Sequence, residues 1–149
     1  MKTIDYIQNW LSENLSEKRY NHSLGCAKCA QKLAKIYHLD EDKAYLAGLI
    51  HDCAKNIEAE ESLKIIKNEI KTGFIESELK NPKTYHAIIG AYYVKKIFEI
   101  EDNEIIQAVR NHTIGHIDMT LFDKINKMLG KISHNSASVQ PIISTRLVN

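Results

Sequence analysis

Residues 44–55, AYLAGLIHDCAK, are the most informative stretch of this 149-residue sequence. Its first seven residues are apolar on most sides of a helix, a pattern typical of the buried central helix of a bundle. Asp40 can cap this helix, and we expect the helix to continue to about Lys55. The stretch therefore predicts a central helix that carries His51, Asp52 and Lys55 at its carboxyl-terminal end.

The rest of the sequence also predicts an all-α fold. Two prolines and six glycines leave few breaks, and apolar residues recur at helical spacing. The second helix has Asn21 or Ser23 as its expected cap. We expect a bundle of about six to seven helices, those besides the central one covering about 3–15, 21–37, 58–70, 82–98, 101–112 and 120–129.

Helical periodicity is lost near the carboxyl terminus, where Ser and Asn become frequent. We therefore expect one domain over residues 1–130 and an irregular or disordered tail over residues 131–149.

Composition limits the classes of partner. Twenty basic and nineteen acidic residues give a net charge of +1, so no broad electrostatic field favours nucleic acid or a membrane surface. The amino terminus lacks the apolar stretch of a signal peptide, and the longest apolar run, residues 44–50, is too short to span a bilayer. These features predict a cytoplasmic protein.

Three cysteines, an odd number without an export signal, predict reduced thiols. Cys26 and Cys29 form half of a zinc-binding pattern, but no second CxxC follows. We therefore interpret Cys26, Cys29 and Cys53 as small apolar residues that face a helical core.

Histidines near the ends of different helices carry the candidate chemistry. Imidazole and carboxylate groups suit a divalent transition metal, and a helical bundle builds such sites from facing helices. His51 and Asp52 can reach one ion at a helix end, with His22 across the interface as a third ligand. The full pattern is His22, His51-Asp52, His86 and His112.

Three other histidines are weaker candidates. His38 and His134 fit a structural role, and Gly115 breaks the helix between His112 and His116, so His116 is disfavoured as a ligand. Lys55 lies one turn beyond His51, where it could neutralise a phosphate oxygen. The alternative for Lys55 is an exposed lysine favoured by the helix dipole.

Four segments resemble the HD-domain superfamily: RYNHS at 19–23, AGLIHDCAK at 47–55, HAIIG at 86–90 and NHTIG at 111–115. More narrowly, they look like the bacterial YqeK family of symmetrical bis(5′-nucleosyl)-tetraphosphatases, over about residues 3–125. This resemblance implies a metal-dependent enzyme that cleaves diadenosine tetraphosphate into two ADP. It further implies iron, with manganese as the alternative, one or two ions, and a homodimer.

The resemblance also implies roles for individual residues. The first ion would be held by His22, His51 and Asp52. A second ion, or the polyphosphate, would be held by His86 and His112. Further phosphate contacts would come from Arg19, Lys55 and Thr113. The implied catalytic residues are Asp52, Lys55, His86 and His112.

One departure from the family pattern concerns the last metal ligand. The family carries an Ala-Asp pair where this chain has Leu129 and Gly130, and the nearest substitute carboxylates are Asp118 and Asp123. A missing ligand predicts weaker metal binding or impaired activity. The alternatives are another HD nucleotide phosphohydrolase or phosphodiesterase, and a nucleotide-binding module with weakened catalysis.

Overall fold

A computed structural model describes residues 1–115 and 117–129, and this part of the chain is helical with no strand, which confirms the all-α prediction. Its eight α-helices include one more than expected, the four-residue α5. The bounds are α1 Ile4–Asn14, α2 Glu17–Ile36, α3 Glu41–Ile50, α4 Ala59–Ile65, α5 Glu76–Leu79, α6 Tyr85–Lys96, α7 Asn103–Asn111 and α8 Leu121–Leu129. A π-helical segment, Ile66–Ile70, continues α4, and a 3₁₀ turn, Pro82–Thr84, precedes α6.

The start of α2 differs from the sequence prediction. Ser16 caps this helix, because its side chain accepts a hydrogen bond from the Arg19 backbone N–H. Asn21 and Ser23, the expected caps, therefore lie within the helix. As a consequence, Arg19 and His22 are both presented by α2.

The end of α3 also differs, since the helix stops at Ile50 and not at Lys55. The His51 ring nitrogen Nδ1 donates to the Gly48 carbonyl at 2.7 Å, and tight turns follow, with Cys53 N–H donating to the Ile50 carbonyl. Neighbouring side chains in a regular helix point about 100° apart. In these turns, however, His51 Nε2 and Asp52 Oδ2 are only 3.5 Å apart.

Helix α3 is the buried central helix that the sequence predicts, capped by Asp40 and in contact with α2, α7 and α8. Gly48 permits its close approach to α2. A Cβ at this position would lie 3.0 Å from the Ala27 Cα and 3.0 Å from the Cys26 carbonyl oxygen. This close crossing brings the His22 region of α2 next to His51.

Two helical segments are followed by residues with positive φ, one of them at the predicted break, Gly115. Lys71 ends the π-helical segment with φ 64°, and Gly115 follows α7 with φ 77°. None of the helices in the described part of the chain is both long and apolar enough to cross a membrane.

Candidate metal centre

Asp52 lies at the centre of four imidazoles that come from different parts of the chain. Its Oδ2 is 3.5 Å from His51 Nε2 and 3.9 Å from His22 Nε2. Its Oδ1 is 3.4 Å from both His86 Nε2 and His112 Nε2. Each carboxylate oxygen therefore faces its own pair of histidines.

Two groups of side chains have donor atoms that all lie within 4.8 Å of one another. We name them the α2 group, consisting of His22, Cys26 and His51, and the α6 group, consisting of Asp52, His86 and His112. Because Asp52 also faces the α2 group with its other oxygen, the two groups adjoin each other across a single carboxylate.

Backbone carbonyls fix the tautomers of two of these histidines. His51 Nδ1 donates to the Gly48 carbonyl, and His112 Nδ1 donates to the Val109 carbonyl at 2.6 Å. With the proton on Nδ1, each Nε2 has a free lone pair, as metal-binding histidines require. His86 Nε2 lies 3.1 Å from His112 Nε2. Two nitrogen lone pairs at this distance repel each other unless a proton is shared between them or a metal ion binds both.

One atom shows that the donors suit a metal ion. His51 Nε2 is fully buried and has no hydrogen-bond partner. A buried acceptor without a partner costs about 1–3 kcal/mol, and a bound cation would satisfy it. Neutral imidazoles with a carboxylate are the donors that divalent transition metals accept, so the residues fit such an ion.

The protonation states of the donor side chains also suit a metal ion. Burial opposes ionisation of Asp52, but its interactions with the neighbouring His51, His112 and His86 outweigh the effect of burial, so the pKa of Asp52 lies well below its usual value. Arg19 Nη1 adds an ion pair with Oδ2 at 2.8 Å. Burial lowers the pKa of His51 to about 4 and also lowers the pKa of His86, which keeps both rings neutral at pH 7.

A family model described as "HD domain" matches residues 19–137. The chain belongs to the HD domain family. The resemblance drawn from the four sequence segments is thereby confirmed at the level of the family.

Named relatives and a solved structure agree with this membership. The chain is 39% identical over 115 residues to a symmetrical bis(5′-nucleosyl)-tetraphosphatase of Halalkalibacterium halodurans, covering 75% of this chain and 59% of the relative. It is 35% identical to the Bacillus subtilis protein of the same name, covering 85% and 67%. A Clostridium acetobutylicum structure, described as a predicted HD superfamily hydrolase involved in NAD metabolism, superposes with a TM-score of 0.87 at 34% identity, covering 99% of this chain and 80% of that one.

The two cationic side chains that were predicted to contact phosphate lie beside Asp52 and His86. Arg19 pairs with Asp52, and Lys55 Nζ is 3.4 Å from His86 Nδ1 at the exposed rim of the site. Partial burial lowers the pKa of Lys55. Thr113 follows His112 directly, but its hydroxyl is buried and makes no hydrogen bond to the cluster, so its role stays a prediction.

The structure does not bring the two suggested substitute carboxylates into either donor group. Asp123 instead forms a reciprocal cap at the start of α8, where its carboxylate accepts from the Thr120 N–H at 2.9 Å and the Thr120 hydroxyl donates to it at 3.0 Å. Asp118 lines a cavity with Asp123 and Thr120. His116, Gly130, His134 and the predicted tail lie outside the described residues.

Cys26 is the residue of the site that the sequence interpretation missed. It is buried in the core, as expected, but its Sγ also lies 3.4 Å from His22 Nε2. Burial raises the pKa of the Cys26 thiol to about 12. The available signal was the spacing of four residues from His22, which places both side chains on one helical face.

Proposed function

We propose that this HD domain protein is a metal-dependent phosphohydrolase that cleaves diadenosine tetraphosphate symmetrically into two ADP. The observation that carries the proposal is the position of Asp52, whose two oxygens face separate histidine pairs beside Arg19 and Lys55. The names of the two relatives support this substrate. Because the chain spans 59% and 67% of their lengths, their activity enters as a proposal.

The proposed ligands follow the two histidine pairs. His22, His51 and Asp52 Oδ2 would hold a first ion, and His86, His112 and Asp52 Oδ1 would hold a second. The proposed metal is iron, with manganese as the alternative. When bound by these residues, such an ion would supply a water molecule activated near neutral pH and would polarise a phosphoryl oxygen.

The chain itself would neutralise and position the substrate. Arg19 and Lys55 would provide two cations for the polyphosphate. The Thr113 hydroxyl is buried, so its contact with phosphate stays a prediction from the sequence. Water adds to the second phosphorus, the bond from that phosphorus to the central bridging oxygen breaks, and ADP leaves. One diadenosine tetraphosphate and one water thus give two ADP.

The experiment that tests this function is product analysis. The metal-free chain is incubated with diadenosine tetraphosphate and either Fe(II) without oxygen or Mn(II), and products are separated by anion-exchange chromatography. The proposal expects two ADP per substrate, and no activity for Asp52→Asn. Formation of AMP and ATP would contradict symmetrical cleavage.

The same assay addresses the alternatives. The similar Clostridium protein is described as involved in NAD metabolism, so NAD and cyclic dinucleotides belong among the substrates tested. Turnover of one of these alone would favour another nucleotide hydrolase. Nucleotide binding without turnover, with activity still absent in Gly130→Asp, would favour a nucleotide-binding module. The homodimer and the cytoplasmic location remain predictions.

A further inference from the structure

Cys26 lies one helical turn after His22 on α2 and belongs to the α2 donor group. We propose that the Cys26 thiolate is a ligand of the first metal ion, together with His22, His51 and Asp52 Oδ2. This inference rests on the proposed function, because it requires a metal ion at that position.

Distances between donor atoms support a shared ion. A sulfur at about 2.3 Å and an imidazole nitrogen at about 2.0 Å from one tetrahedral ion lie about 3.5 Å apart. Cys26 Sγ and His22 Nε2 are 3.4 Å apart. The donors His51 Nε2 and Asp52 Oδ2 are 3.5 Å apart. Each separation suits two ligands of one ion, and the 3.9 Å between His22 Nε2 and Asp52 Oδ2 links the two pairs.

The charges of the α2 group show why a thiolate would matter there. His22 and His51 are neutral donors when they bind a metal, and Asp52 is shared with the α6 group. No further Asp or Glu among residues 1–115 and 117–129 joins the α2 group. Cys26 is thus the side chain in that part of the molecule that can add a second negative charge.

One feature distinguishes Cys26 from an ordinary core thiol. His51 Nε2, a buried acceptor without a hydrogen-bond partner, belongs to the same group. Cys53, by comparison, is also buried but belongs to neither donor group, and its thiol donates to the Gly90 carbonyl at 4.0 Å. The alternative to metal binding is a purely structural role, in which the Cys26 thiol donates to the Leu129 carbonyl at 3.6 Å.

A thiolate ligand would change which metals the site prefers. Sulfur donors favour Zn(II), Co(II) and Fe(II) over Mn(II) and Mg(II), which prefer oxygen ligands. Loss of Cys26 should therefore weaken Co(II) binding more than Mn(II) binding.

Cobalt spectroscopy tests the proposal on the full chain. Metal-free wild-type protein, Cys26→Ala and Cys29→Ala are each titrated with Co(II) without oxygen. Cys29 is the matched control, because it lies three residues later on α2, is half-buried and belongs to neither donor group. We expect a near-ultraviolet thiolate-to-cobalt charge-transfer band in wild type and Cys29→Ala, and its loss in Cys26→Ala.

Affinity provides a second readout. We expect the Co(II) Kd of Cys26→Ala to rise at least about tenfold, because even residues that only support a ligand contribute about 10- to 100-fold. The Kd for Mn(II) should rise less. An unchanged band and affinity in Cys26→Ala would overturn the proposal.

The outcomes also separate this proposal from the proposed function. Wild-type protein that binds Co(II) without a charge-transfer band contradicts the thiolate ligand but leaves the hydrolase intact. Wild-type protein that binds no transition metal overturns both. If circular dichroism shows that Cys26→Ala does not fold, X-ray absorption of zinc-loaded Cys29→Ala replaces it. A sulfur at about 2.3 Å from zinc then supports the proposal, and a shell of nitrogen and oxygen alone contradicts it.

Discussion

At the residue scale, His51 carries two constraints that together suit its ring to bind a metal ion. The Gly48 carbonyl holds its Nδ1–H, and burial prevents protonation of its Nε2. The ring is therefore kept neutral in the folded protein without a metal ion, while in the unfolded chain it can bind a proton freely.

This difference predicts how the stability of the metal-free protein depends on pH. The folded pKa of His51, about 4, is below its unfolded value of 6.5, so the unfolded state binds more protons between these values. The free energy of unfolding should fall as pH is lowered from 6.5 to 4, by on the order of 3 kcal/mol. His86, whose pKa is also lowered, adds in the same direction.

Urea unfolding of the chelator-treated protein across this pH range measures the effect. His51→Asn should flatten the dependence. His38→Asn is the matched control, since His38 is exposed with φ 56°, a conformation that Asn adopts readily. An equally steep dependence in wild type and His51→Asn would contradict the assignment.

Lys55 gives a second prediction at this scale. Its ammonium lies beside His86 at the rim of the site, where a substrate phosphate would gain a cation. Lys55→Ala should lower kcat/KM for diadenosine tetraphosphate by about 100-fold, and Lys55→Arg should keep part of the activity. Lys95→Ala, at an exposed position on α6, should behave as wild type. Equal activity of the Lys55 and Lys95 alanine variants would remove Lys55 from the mechanism.

At the element scale, the crossing of α2 and α3 brings the α2 group together. Gly48 lies at the crossing, where an added Cβ would meet the backbone of Ala27 and Cys26. Backbone atoms cannot rotate away as a flexible side chain can, so the helices must separate.

Two glycine substitutions test this crossing. Gly48→Ala should lower the free energy of unfolding by about 1–3 kcal/mol. Gly25→Ala, within α2 at a position with no atom within 4 Å of the new Cβ, should raise it by about 0.5–1 kcal/mol because alanine favours the helix. Denaturant titration gives both values, and destabilisation of similar size at the two positions would show that the close approach has no special cost.

The sequence predicted the elements better than their ends. The central position of α3 followed from its uninterrupted apolar run, and seven of the eight helices were expected. The end of α3 at Ile50 was missed because it depends on a side-chain ring bonding to the Gly48 carbonyl. The start of α2 was missed because Ser16, Asn21 and Ser23 are all good caps, and local sequence does not choose among them.

The candidate site, too, could be predicted only in part from the sequence. His22, His51, Asp52, His86 and His112 were predicted because imidazoles and an acid expected near helix ends are chemically conspicuous, although His22 lies in the second turn of α2 and not at its end. Cys26 was not, because a cysteine that packs in a core and one that faces an imidazole look alike in sequence. The sulfur lies beside His22 because both residues are on one face of α2, and only the packing of α2 against the end of α3 brings the two side chains next to His51.

At the scale of the whole molecule, the site joins parts of the chain that are distant in sequence. The donors come from α2, the turn after α3, α6 and the end of α7, and they converge only in the folded state. Unfolding therefore destroys the site completely. Binding of a metal ion should consequently stabilise the whole fold and not one segment of it.

Thermal unfolding measures this coupling. A ligand that binds only the folded state at 1,000 times its Kd adds about 4 kcal/mol, which should raise the Tm of a chain of this length by about 8–16 °C. Asp52→Asn should lose most of this increase, because both histidine pairs face its carboxylate. Glu101→Gln, which removes an exposed charge before α7, should retain it. If wild-type protein with metal bound melts at the same temperature as the metal-free protein, the donors do not link these helices into one cooperative unit.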